Sequence, residues 1–143
     1  MAQLKHTGFT EDCWFLYGVR FRNTFLGICV HHATGKMASV DFDWQKANNP
    51  LLLGWYHTHP GQGHVFPSGT DHRTMRSWVR ATEKPMVCGI VSGEYSKCYL
   101  FYRGGPINGK PGKIFYMEMD GRFSGSFFVG KRVEAEPRLS EKK

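Results

Sequence analysis

"LLLGWYHTHPGQGHVFPSGTDHRTMRSWV", residues 51–79, changes its period halfway along, and that change decides the reading of the fold. Its first nine residues are apolar and aromatic, a largely buried strand ended by Pro60. A glycine-broken loop follows. Pro67-Ser68-Gly69-Thr70-Asp71 then offers Ser68 as an N-cap with an acid three residues later. Met75, Trp78 and Val79 recur at i, i+3 and i+4, the stripe of a helix that faces a core. Lys84-Pro85 ends that helix. A strand passing into a helix within one short segment points to a chain of mixed α and β structure.

The flanking sequence adds strands. "CWFLYGVRF" (13–21) and "TFLGICVHH" (24–32) read as a hairpin about Arg22-Asn23, with Gly18 and Gly27 as candidate bulges. "MASVDFDW" (37–44) alternates as a half-buried strand does. "MVCGIVSG" and "KCYLFYRG" form a pair around Gly93-Glu94, and "KIFYMEMDG" with "GSFFVGKR" forms an extra hairpin. The expected class is α+β, a mixed sheet with few helices, in one domain over residues 1–130. Residues 131–143 form a polar, fraying tail.

Bulk properties narrow the function. The 143 residues suffice for one domain. A 41% hydrophobic and 15% aromatic content fits a folded globule and argues against disorder. No run approaches the roughly 18 apolar residues of a membrane span. The N-terminus lacks the apolar region of an export signal, and Cys13, Cys29, Cys88 and Cys98 show no paired spacing. Reduced, buried cysteines in a cytoplasmic protein are expected. The net charge of +7 favours acidic partners, with nucleic acid a minor reading.

His57 and His59 share one face of the strand, about 7 Å apart, and can converge on one ion. Asp71, in the first turn of the helix, can supply a third ligand. Two imidazoles and one carboxylate suit Zn²⁺ with a fourth position left for water. Taken singly, each piece has a plainer reading: a hydrogen-bonded histidine pair, and a helix cap.

Taken together, "HTHPGQGHVFPSGTD" resembles the signature of the JAMM (JAB/MPN+) metalloproteases, H-x-H-P followed by P-S-x-x-D. The family also uses a glutamate seven residues before a glycine that closes an apolar strand. Glu11 stands seven before Gly18 and 46 before His57. The resemblance spans about residues 9–103. It implies an MPN/JAB, cytidine-deaminase-like fold: a mixed β-sheet flanked by helices. It implies zinc held by His57, His59 and Asp71, with Glu11 as general base and Ser68 stabilising the oxyanion. The implied substrate is the amide or isopeptide bond after the C-terminus of ubiquitin or a ubiquitin-like protein. Its tail would lie extended beside a sheet edge. Possible companions are E1- and E2-like proteins of a bacterial pathway, or a second copy of the chain. A non-catalytic MPN-type scaffold and a DNA-repair-associated protein are the competing readings.

The sequence departs from the family pattern in three ways. The linker from His59 to Ser68 is one residue longer than usual, few residues precede Glu11, and there is no long insertion. His64 reads as an exposed loop residue. His6, His31, His32 and His72 receive no ligand role, although His72, beside Asp71, could support the ligands. Trp55 and Tyr56 read as packing residues.

Overall fold

The structure is a computed structural model that describes residues 12–34, 50–124, 127–133 and 136–140. The proposed strand over residues 37–44 lies outside the described residues. The elements are β1 (Asp12–Phe21), β2 (Thr24–Thr34), β3 (Leu52–Thr58), α1 (Gly69–Thr82), β4 (Met86–Ser92), β5 (Tyr95–Arg103), β6 (Ile114–Ser124), β7 (Phe127–Arg132) and β8 (Arg138–Leu139).

The sheet order is β5-β4-β3-β1-β2-β7-β6-β8, and β5 also pairs with β6. Seven strands therefore close into a barrel, with β8 attached to the outside of the ring's register at Phe115 and Tyr116. This corrects the expected α+β sheet flanked by helices. The described chain is mostly β, with α1 its single helix. The physical cause is the hairpin of β6 and β7, read from the sequence as an addition to the sheet. It joins the sheet's two ends instead. β7 pairs with β2 from Thr24↔Lys131 to Ile28↔Phe127. β6 pairs with β5 from Cys98↔Met119 to Arg103↔Ile114. Closure satisfies backbone groups that would otherwise line two open edges.

Alternation divides the side chains between two cores. Trp14, Leu16, Phe25, Leu53, Tyr56, Val87, Val91, Cys98, Leu100, Met117, Met119 and Phe128 come from all seven ring strands and fill the barrel. Cys13, Phe15, Trp55, Cys88, Ile90, Tyr99 and Phe101 point outward and pack beneath Met75, Trp78 and Val79 of α1. The predicted helix stripe is thus buried as expected, against the outer face of the ring. β3 and β4 run parallel, from Gly54↔Val87 to Thr58↔Val91, and α1 forms the crossover between them.

The expected bulges at Gly18 and Gly27 are also corrected. These glycines face each other across the β1–β2 ladder, and the register shift falls between Cys13 and Trp14. A Cβ on Gly18 would sit 1.9 Å from the Leu26 carbonyl oxygen, so close approach is what requires glycine there. A second irregularity, between Leu16 and Tyr17, skips a residue of β3 beside Gly54. Gly54 has a φ of +149° and leaves no room for a Cβ against Val87. This bulge shifts the alternation of β3 by one. Leu53 and Tyr56 face the barrel interior, whereas Trp55 faces α1. His57, two residues further on, takes the α1 side as well.

Candidate metal centre

The C-terminal end of β3, the loop after it and the first turn of α1 meet at one place. Helix α1 starts where the sequence predicts. The Ser68 hydroxyl accepts from the Asp71 N–H at 3.0 Å, and the Asp71 carboxylate accepts from the Ser68 N–H at 3.0 Å. This reciprocal cap holds the Asp71 carboxylate over the end of β3. Its Oδ1 lies 3.0 Å from His57 Nε2 and its Oδ2 lies 2.9 Å from His59 Nε2. The two Nε2 atoms are 3.1 Å apart. His57 and Asp71 are buried, and the His59 side chain keeps 12% exposure, so the cluster opens to solvent on the His59 side.

A row of rings positions His57. Phe15 stacks on Trp78 at 5.8 Å, Trp78 on Trp55 at 6.1 Å, and Trp55 on His57 at 4.5 Å with 12° between their planes. Trp55 is itself held by its indole N–H, which donates to Met75 Sδ at 2.7 Å. The loop from His59 to Pro67 is pinned at several points. His59 N–H donates to the Val91 carbonyl, Gly63 N–H to the Ser92 carbonyl, and Tyr99 O–H to the Val65 carbonyl at 2.8 Å. Gly61 and Gly63 both take positive φ, near 88° and 87°, so the longer linker is absorbed in turns that suit glycine.

The donor set suits a cation. His59 Nδ1 lies 2.7 Å from the His64 carbonyl oxygen, which can only accept, so Nδ1 carries the hydrogen. On a neutral ring, Nε2 then directs a lone pair at the Asp71 carboxylate, two acceptors at hydrogen-bond distance. A metal ion between them resolves the conflict, as a proton on Nε2 does in its place. The 3.1 Å between the two Nε2 atoms is close to the roughly 3.3 Å edge expected of a tetrahedron with metal–nitrogen bonds of about 2.0–2.1 Å. His57 Nδ1 is buried with no hydrogen-bond partner among the described residues. Burial would raise the pKa of Asp71, but hydrogen bonds from His57 and His59, the charge of His57 and the Ser68 N–H together hold it well below the usual carboxylate range. The carboxylate is therefore available as an anionic ligand at any physiological pH.

His57, His59 and Asp71 thus form a group that can hold a metal ion, as the sequence predicted. Ser68 sits beside it as the helix cap. Glu11 lies outside the described residues. His31 and His32 fall in β2, and His64 is exposed, as expected. The loop carbonyl of His64 nevertheless sets the tautomer of His59, a role that a main-chain group leaves no trace of in a sequence. His72 turns away from the ligands. Its Nδ1 lies 2.8 Å from Ser140 Oγ, and its ring packs edge-on against Phe101 and Tyr116. Among the described residues, no helix is long and apolar enough to cross a membrane.

No curated protein matches the chain at a significant level. The family model described as prokaryotic homologs of the JAB domain matches residues 2–103, which include β1 to β5, the histidine pair and the capping box of α1. With a family match over most of its length and a cluster that could hold a metal ion within the matched range, this chain belongs to the prokaryotic JAB-domain family.

Proposed function

We propose that the chain is a zinc-dependent isopeptidase that cleaves after the C-terminus of ubiquitin or a ubiquitin-like protein, in the cytoplasm of a bacterium with such a pathway. The observation that carries this reading is the convergence of two imidazole nitrogens and a capped carboxylate in a JAB-family chain. Zinc is the metal best suited to two nitrogens and one oxygen with a position open to solvent. When bound, it would polarise the scissile carbonyl and make hydroxide available near neutral pH.

The remaining roles fall to residues of this chain. Glu11 would take the proton of the attacking water and give it to the leaving amine. In support, the neighbouring Asp12 N–H donates to Thr58 Oγ1 at 2.7 Å, and Cys13 pairs with His57. The chain therefore enters β1 beside the histidine pair. The Ser68 Oγ accepts from the Asp71 N–H, which leaves its hydroxyl hydrogen to donate to a developing oxyanion.

Closure of the ring removes most of the edges along which an extended substrate tail could add. Among the described residues, one edge remains next to the site. Residues 31–34 of β2 pair with β1 on one side and with no described strand on the other. They run level with Asp12 and Cys13, one strand away from His57. A ubiquitin-like tail would add there by main-chain hydrogen bonds. E1- and E2-like proteins of the same pathway would be its companions.

The test is cleavage of a ubiquitin-like C-terminal fusion together with metal analysis of the purified protein. Wild type should hold about one zinc and release the fusion partner. Glu11→Gln should keep the zinc and lose cleavage. Glu11→Gln cleaving at the wild-type rate would refute the assignment of the base. Wild-type protein that binds no zinc would refute the enzyme.

A further inference from the structure

Among the described residues α1 is the only helix, and its 14 residues cover part of the ring. The seam beneath it takes outward side chains of β1, β3, β4, β5 and β6, among them Phe15, Trp55, Cys88, Tyr99 and Ile114. The arc made by β2, β7 and the end of β1 is left uncovered by the helix. Phe25 and Phe128 point into the barrel, so Leu26, Ile28, Phe127 and Val129 point out. Register sets Val19 beside Leu26 and Leu26 beside Val129, sets Ile28 beside Phe127, and puts Phe21 at the end of β1. All six are exposed, from 44% at Leu26 to 67% at Phe21. Together they present roughly 600 Å² of apolar surface, the upper end for the largest patch on an ordinary monomer.

Cations border this face. Arg122 sits beside Val129 in the β6–β7 ladder. Lys131 follows Val129 on the same side of β7, and Arg22 holds its guanidinium over the Phe21 ring at 5.5 Å. All three are exposed, and none forms an ion pair among the described residues. The described acid at this border is Asp120, across the ladder from Lys131. The six apolar side chains offer no hydrogen bond. The backbone groups beneath them are used in the β1–β2 and β2–β7 ladders.

We infer that this face rests on an anionic lipid surface. The apolar side chains enter the boundary between headgroups and acyl chains, and Arg22, Arg122 and Lys131 lie among the phosphates. Contact of this kind gains from buried apolar area and from the attraction of basic groups to anionic lipid. A bilayer asks for no hydrogen bond from the centre of the face. A second copy of this chain fits less well. It would bring like charges together at the border, and two convex barrel faces meet along a narrow strip. The apolar area also falls short of the roughly 800 Å² per partner of a standard interface. Nucleic acid binds through hydrogen bonds to phosphate and base, which an aliphatic centre cannot return. The inference does not depend on the zinc or on cleavage.

Flotation of the full chain with lipid vesicles tests it. At low salt, wild type should bind vesicles of phosphatidylglycerol and phosphatidylcholine in equal parts. It should bind pure phosphatidylcholine at least on the order of tenfold more weakly. Phe21→Ser/Phe127→Ser should weaken binding to the anionic vesicles by at least on the order of tenfold. Arg122→Gln/Lys131→Gln should do so by a similar factor that shrinks as salt is raised. The side chains changed are exposed, so both variants should keep the wild-type melting temperature. The inference is overturned if wild type does not bind the anionic vesicles at low salt. It is also overturned if either double variant binds them as wild type does, or if neutral vesicles are bound as tightly. Sedimentation of the chain alone and titration with a labelled oligothymidylate test the other occupants. A dimer that the phenylalanine variant dissociates, or strand binding that it abolishes, overturns the inference as well.

Discussion

The barrel interior and the seam beneath α1 are built from the same strands but solve different problems. The interior cluster is made of apolar and aromatic side chains, with the Tyr56 hydroxyl and the Cys98 thiol among them. The seam combines the rings of Phe15, Trp55 and Trp78 with His57 and Asp71, both buried. The first region can be assembled from any shapes that fill space. The second must also hold three polar groups in one orientation, so packing and chemistry are coupled there. A defect in the interior should lower stability alone, and a defect in the seam should lower stability and metal affinity together.

The largest expected break comes from the ligands. His57→Ala or Asp71→Ala should lose bound zinc and reduce cleavage by at least about a thousandfold, the scale expected when a metal's activation of water is removed. Metal analysis and fusion cleavage read both effects. Next come paired truncations on the two sides of the sheet. Phe128→Ala in the barrel and Trp78→Ala in the seam should each cost about 3–5 kcal/mol in urea unfolding. At urea concentrations where both remain folded, only Trp78→Ala should bind zinc more weakly, because Trp78 supports Trp55 and through it His57. Equal zinc affinities in the two variants would contradict the coupling.

Ser68→Ala should be milder, costing about 1 kcal/mol through the lost cap and slowing cleavage through the lost donor. Ser68→Asp should restore the cap without restoring the rate, which separates the two roles by melting temperature and turnover. The smallest effect concerns alkaline pH. Burial pushes the Cys98 thiol up to about 12, only partly offset by a hydrogen bond with Tyr56, and burial also raises Cys88 and Tyr99. Groups with raised pKa values hold their protons more tightly when folded. Their contribution to stability is therefore full below about pH 9, the ordinary thiol value, and falls away as pH rises toward 12. Denaturant midpoints measured across that window should decline, and the folded protein should resist thiol alkylation at pH 8.

Much of this was legible in the sequence because it is encoded locally. The turn at Arg22-Asn23, the helix cap at Ser68 and the stripe of Met75, Trp78 and Val79 each depend on residues a few positions apart. His57, His59 and Asp71 were legible for the same reason, since strand period and helix cap place them within one strand–loop–helix unit. Ring closure was not, because the pairings of β2 with β7 and β5 with β6 join distant segments whose alternation would suit an open sheet equally well. Nor was the bulge at Gly54, although an isolated glycine within an apolar strand is its usual sign.

That bulge has a consequence for how such a site can be gained or lost. On a strand, outward or inward is decided by odd or even position, and Gly54 changes the count just before the histidines. Inserting one residue between Gly54 and Trp55, with the bulge kept, would leave all three ligands in the chain yet turn both imidazoles toward the apolar interior. The reactivity of this protein is thus a matter of arithmetic parity as much as of which side chains it carries.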